Sequence, residues 1–258
     1  AIGASALENN TTGHGNTATG FYALRGNTNG HYNTATGFEA LRNNGAGDNN
    51  TANGRGALYS NTGGNNNTAF GNVALSNNTT GSNNTALGTD ALGNVTTGSN
   101  NIGIGNDASV PSSSGSNQVR VGNTAITYAG IQVFWSVTSD RRKKADIKPS
   151  PLGLEFISQL NPVSYYRQND KNKKTEYGFI AQELEKTLNR FGAANNGMIT
   201  KDDKGMYSVR YNDLIAPMVK AIQEQQAIIE NQQKQINELR ILVNKLTQYT
   251  VVKSSALQ

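Results

Sequence analysis

Apolar positions follow three different periods along this chain of 258 residues. Over residues 1–109, small apolar pairs recur every seventeen residues, at Ala23-Leu24, Ala40-Leu41, Ala57-Leu58, Ala74-Leu75 and Ala91-Leu92. Asn16-Thr17-Ala18, Asn33-Thr34-Ala35, Asn50-Thr51-Ala52, Asn67-Thr68-Ala69 and Asn84-Thr85-Ala86 keep the same phase. So do Gly3, Gly20, Gly37, Gly54, Gly71, Gly88 and Gly105, with a second set at Gly13, Gly30, Gly47, Gly64, Gly81 and Gly98. Two Gly/Asn-rich turns per repeat leave room for two short strands and not for a helix pair. This spacing predicts a β-solenoid or β-roll with one repeat per rung.

Each rung offers a core little beyond Ala, Thr and one Leu, so at about 25 cal/mol per Å² it buries little apolar surface. Several rolls packed side by side would supply what one lacks. His14 and His31 occupy equivalent turns, but Asp48, Asn65 and Ser82 follow them in later repeats. That mixture reads as a tolerant turn position; neither a metal site nor a cofactor is expected.

Residues 110–138 change character. Pro111-Ser112-Ser113-Ser114-Gly115 reads as a linker, and Val119, Val121, Ile126, Ile131, Val133, Phe134 and Val137 predict a β neck with Trp135 packed at the junction. From residue 139 the period turns helical. Leu154, Ile157 and Leu160 share a face that ends at Asn161-Pro162, and Val163, Tyr165 and Tyr166 then read as a strand. Phe179, Ile180, Leu184 and Leu188 mark an amphipathic helix ending near Gly192, and Tyr207, Val209 and Tyr211 a further strand. Residues 139–213 are thus expected to form a small α+β domain.

The third period is a heptad over residues 214–248, followed by a tail at 249–258. Ile222, Ile229, Ile236 and Val243 fall seven apart, with Met218, Gln225, Gln232, Leu239 and Leu246 at the other seam position. This predicts a C-terminal coiled coil about 45–50 Å long. The two seam glutamines weaken it while opposing register slips.

Charge is divided as sharply as pattern. Residues 1–138 hold four Arg against five Asp/Glu, and residues 139–258 hold 19 basic against 13 acidic groups. The excess Lys and Arg are scattered among acids without interleaved aromatics, which argues against nucleic acid. No apolar run reaches membrane-spanning length. The absence of Cys removes disulfide and thiolate chemistry. Ala1-Ile2-Gly3-Ala4 lacks the features of a signal peptide and starts in mid-pattern, so a longer parent chain is expected.

The rungs, Asn100-Asn101-Ile102-Gly103-Ile104-Gly105 above all, resemble the head repeats of trimeric autotransporter adhesins. That resemblance implies a trimeric solenoid. The segments SDRRKKADI, LEFISQLNPVSYY, YGFIAQELEK and VRYNDLIAPMVKAIQE, in that order from residue 139, resemble the C-terminal intramolecular chaperone of phage tailspikes and tail fibres, including the endosialidase tailspike. The resemblance implies a domain that trimerises the fibre and then cuts itself off with a Ser-Lys dyad. Ser139 would be the nucleophile and Lys144 the base, Thr138-Ser139 the cleaved bond, and Asp140, Arg141 and Arg142 supporting residues. A lysine base needs a lowered pKa, since at an unperturbed value of about 10.4 it is almost wholly protonated at pH 7. Crowding by Arg141, Arg142, Lys143 and Lys148, and burial between subunits, would act in that direction.

Two classes of function follow. One is a trimeric fibre segment whose chaperone domain drives assembly and releases itself as a single-turnover serine endopeptidase. The other is a non-cleaving surface adhesin or structural fibre that keeps its cap. Either has copies of itself as partners, and a cell-surface glycan or host receptor through the fibre. The expected location is a virion tail fibre or a bacterial surface.

Overall fold

The computed structural model describes residues 1–126, 128–130, 132, 136–168 and 170–255, with side chains described up to residue 248. Ile131, Val133, Phe134 and Trp135 lie outside the described residues, and with them the expected packing of the tryptophan. Contacts divide the chain into two compact units, Ala1–Val133 with Lys201–Met206 and Phe134–Thr200 with Tyr207–Gln258.

The first unit is a solenoid. Its strands are β1 (Thr17–Thr19), β2 (Thr34–Thr36), β3 (Thr51–Asn53), β4 (Thr68–Phe70), β5 (Thr85–Leu87), β6 (Ile102–Ile104) and β7 (Val119–Val121). They pair in chain order as one parallel sheet, each residue opposite the one seventeen further on, as in Ala18 opposite Ala35. In β1 to β6 the central Ala or Gly points inward and is buried, while its two neighbours point outward, the alternation a strand imposes.

Two strands per rung were expected, and the described residues have one. The Ala-Leu segment is a turn in which Leu24, Leu41, Leu58, Leu75 and Leu92 adopt positive φ, between 50° and 52°. A leucine there carries a steric penalty of about 1–2 kcal/mol. Complete burial of each leucine side chain and a backbone bond to the next rung, such as Leu24 N–H to Ala40 O at 3.0 Å, offset it. At Gly37, φ is +130° and an added Cβ would stand 2.7 Å from Gly54 O, so neighbouring rungs approach closely only because this column is glycine.

Asparagine supplies much of the interior. Along one column Asn27, Asn44, Asn61 and Asn78 each donate from Nδ2 to Oδ1 of the asparagine one rung earlier, at 2.7–2.8 Å. Each also donates to the carbonyl of the glycine three residues on. Along a second column Asn33, Asn50, Asn67, Asn84 and Asn101 donate their backbone N–H to the preceding Oδ1 at 2.9–3.0 Å. These amides are fully buried, and the ladders meet most of their hydrogen-bonding capacity. The first column ends where Val95 takes the asparagine's place, and Asn78 Oδ1 is left without a donor.

The sheet does not stop at residue 109. Thr96 N–H bonds to Ser113 O at 2.9 Å, seventeen residues on, so the expected linker Pro111-Ser112-Ser113-Ser114-Gly115 is a modified rung. Gln118 stands where earlier rungs have asparagine. Its longer side chain curls back, donating from Nε2 to Ser112 O and Gly115 O at 2.8 Å each. The seventh strand of the sheet is therefore made by residues expected to form the neck.

In the second unit α1 (Leu154–Ser158), α2 (Ala181–Arg190) and the start of α3 (Ile215–Ser255) surround a core of Leu152, Phe156, Leu184, Leu188, Met198 and Leu214. Gly192, at φ +70°, closes α2 as the spacing predicted. Strand β8 (Val163–Tyr165) pairs antiparallel with β9 (Glu176–Gly178), and β10 (Ile199–Lys201) pairs with β11 (Tyr207–Val209). Neither β9 nor β10 was expected from the pattern. Tyr211 belongs to a 3₁₀ turn, Tyr211–Leu214, and not to the strand before it.

Helix α3 runs 41 residues, about 60 Å at 1.5 Å per residue, and includes residues 249–255 that were expected to form a tail. Its first turns dock on α1. Glu224 Oε2 accepts the Leu154 N–H at 2.7 Å, and Lys220 Nζ donates to Ser150 O at 2.5 Å.

Candidate functional site

The residues from 139 onward fold back on themselves because Asp140 caps a short 3₁₀ turn, Arg141–Lys143. Its Oδ1 accepts the Arg142 N–H at 2.8 Å, satisfying a donor that the turn's own carbonyls cannot reach. Lys143 N–H reaches Asp140 O and Lys144 N–H reaches Arg141 O, each at 3.0 Å. The reversal brings the side chain five residues on to the residue just before the cap. Lys144 Nζ donates to Ser139 Oγ at 2.7 Å. A protonated lysine donates across this distance; a neutral one would accept the hydroxyl proton across the same gap.

Electrostatics at the turn are more balanced than the run of cations implied. The Arg142 guanidinium pairs with Asp140 at 2.6 Å and Lys148 with Asp146 at 2.9 Å. The guanidinium, followed by the Arg142 backbone N–H, holds the Asp140 carboxyl below its usual range. Two of the four cations around Lys144 are thus offset by neighbouring carboxylates. Ser139, Lys144 and Thr138 are all exposed, so the Thr138-Ser139 bond is accessible within the single chain.

The heptad positions are brought to one long helix without cover. Met218, Ile222, Ile229, Ile236, Leu239, Val243 and Leu246 are between 43% and 67% exposed, and Gln225 and Gln232 are exposed with them. A stripe of that length in water is unusual for a finished surface.

The turn column containing the histidines has a definite task. His14 N–H donates to His31 Nδ1 at 3.2 Å, His31 N–H to Asp48 Oδ1 at 2.7 Å, Asp48 N–H to Asn65 Oδ1 at 2.7 Å and Asn65 N–H to Ser82 Oγ at 3.0 Å. The position tolerates several residue types because each supplies an acceptor. The sequence marked this column as a tolerant turn position but not its hydrogen-bonding task, and the Asn27–Asn78 ladder was missed. The ladder's signal was present as an asparagine three residues before five of the six glycines of the second set, Gly98 having Val95 there instead.

Residues 139–193 match the family described as the chaperone of endosialidase. The chain is 37% identical over 78 residues to "Depolymerase 1, capsule K3-specific" of Klebsiella phage KP32, covering 27% of this chain and 9% of that protein. It is 32% identical over 118 residues to "Long tail fiber protein Gp37" of Salmonella phage S16, covering 43% of this chain and 15% of the relative. The matches thus span only a small part of either relative. No solved structure matches the chain. These similarities mark residues 139–193 as resembling the chaperone domain of endosialidase, in a chain similar in part to phage tail fibre and depolymerase proteins. No helix among the described residues is long and apolar enough to cross a membrane.

Proposed function

We propose that this chain is a homotrimeric segment of a phage tail fibre, in the virion tail, whose chaperone domain aligns three copies and then releases itself at the Thr138-Ser139 bond. The observation that carries the cleavage step is the 2.7 Å approach of Lys144 Nζ to Ser139 Oγ, at the first residue of the family match. Neutral Lys144 takes the hydroxyl proton, and Oγ attacks the Thr138 carbonyl carbon. The C–N bond breaks as the nitrogen takes a proton, leaving an ester between the Thr138 acyl group and Ser139 Oγ. Water then opens the ester, yielding a Thr138 carboxylate and a new N-terminus at Ser139. Because Lys144 is exposed in the single chain, covering it in the trimer would promote the neutral amine and tie cleavage to completed assembly.

Repetitive rungs invite register errors, since every seventeen-residue shift re-creates the same pairing. Three α3 helices joined through their heptads would hold the chains at high effective concentration and in one alignment. Removing that clamp afterwards would leave a fibre without its easy route to disassembly. Wild type and Ser139→Ala, compared on a denaturing gel after both sediment as trimers, test the order of events. The wild type separates into two pieces and the variant stays whole. Solvent exposure of the dyad and the pairing of Arg142 and Lys148 favour, as a second reading, a fibre that retains its cap uncut.

A further inference from the structure

We infer that the outward face of the solenoid sheet at β4–β7 is a contact surface for further copies of this chain, an inference that rests on the self-associating fibre proposed above and locates its contact. Two outward columns run the length of the sheet. One passes through Thr17, Thr34, Thr51, Thr68 and Thr85 and then becomes Ile102 and Val119. The other passes through Thr19, Thr36 and Asn53 and then becomes Phe70, Leu87, Ile104 and Val121. The six apolar side chains are between 38% and 67% exposed and lie next to one another by register.

Together they leave on the order of 600 Å² of apolar surface, as large as the biggest patch of a typical monomer and about three quarters of what one partner brings to a standard interface. Neither column contains a charged residue, which matches the charge-poor centre of contact surfaces. The side chains repeat at the inter-strand spacing of about 4.8 Å, so the surface that interdigitates with them along its whole length is one with the same spacing. Another copy of this sheet has it. The bare heptad seam of α3 independently calls for identical partners.

The chain has no cysteine, so single cysteines report position cleanly. Three variants in a Ser139→Ala background are treated with a short bismaleimide: Ile104→Cys on the face, Ile229→Cys in the heptad seam, and Asn29→Cys on a solenoid turn outside the sheet. The first two are expected to give covalent dimers at least fivefold above the third. Cross-linking of Ile229→Cys without Ile104→Cys overturns the assignment of the face while leaving self-association intact. Failure of both overturns the face and the self-association on which it rests. Unchanged melting of Ile104→Cys shows that the substituted solenoid is folded in either case.

Discussion

Asn44 shows how a solenoid with so little apolar surface holds together. Its Nδ2 donates to Asn27 Oδ1 at 2.7 Å and to Gly47 O at 2.8 Å, and its Oδ1 accepts from Asn61 Nδ2 at 2.7 Å. Replacing it with valine leaves Asn27 Oδ1 buried without a donor and removes one acceptor from Asn61, a loss of about 2–4 kcal/mol. Asn78 stands at the end of the same ladder, where its own Oδ1 already lacks a donor. Asn78→Val moves that orphan one rung earlier, and its cost is expected to be less than half that of Asn44→Val. Urea denaturation of the two variants in a Ser139→Ala background reads the difference; equal losses would mean the ladder does not act as a connected unit. The period, the trimming of rungs by glycine and the inward Ala were legible from residue spacing alone. The positive φ of Leu24 and its equivalents was not, because leucine seldom adopts it and only the neighbouring rung's carbonyl makes it worthwhile.

Among elements, the 3₁₀ turn and α3 carry the proposed mechanism. Asp140 is expected to act by position, holding the turn that delivers Lys144 to Ser139. Asp140→Ala therefore slows cleavage at least tenfold, whereas Asp140→Asn, which keeps a capping oxygen, recovers most of it. A rate for Asp140→Asn as low as for Asp140→Ala would instead assign the effect to the lost charge. The α1–α3 junction has its own acid sensitivity. The Leu154 N–H, followed by Lys220, holds the Glu224 carboxyl below its ordinary 4.5. A carboxylate with a depressed folded pKa stabilises the folded state above its unfolded value and loses that contribution as the pH falls through the folded value. Hydrogen exchange at the start of α3 should consequently accelerate as the pH is lowered from 5 towards 3, after correction for intrinsic exchange. Glu224→Gln should lack this step; if it keeps it, another carboxylate is responsible. The C-terminal end of α2 and the heptad spacing were legible because Gly192 and the seven-residue period are local signals, whereas Phe179 and Ile180, expected inside the helix, precede it. β9 and β10 were missed because Glu176–Gly178 and Ile199–Lys201 have almost no alternation of their own, and are strands only by virtue of the segments they pair with.

At the scale of the whole molecule, both units present apolar surface that the single chain leaves uncovered: the β4–β7 face in one, the heptad stripe in the other. Gln225 and Gln232 weaken the second of these, so replacing both with leucine is expected to raise the melting temperature of the assembled helices while permitting shifted registers. Increased melting with a single register by cross-linking would show that the glutamines have no aligning role. The candidate dyad was legible only through the family likeness of its surroundings; spacing alone does not distinguish Ser139 and Lys144 from a solvated basic turn. The central claim, that assembly ends in self-cleavage, is tested most directly by intact mass spectrometry of the folded wild-type chain alongside Ser139→Ala and Lys144→Ala. The account predicts two wild-type species, residues 1–138 and residues 139–258, and a single uncut species for each variant. A folded, trimeric wild type whose mass stays that of the whole chain, indistinguishable in processing from Ser139→Ala, would contradict it.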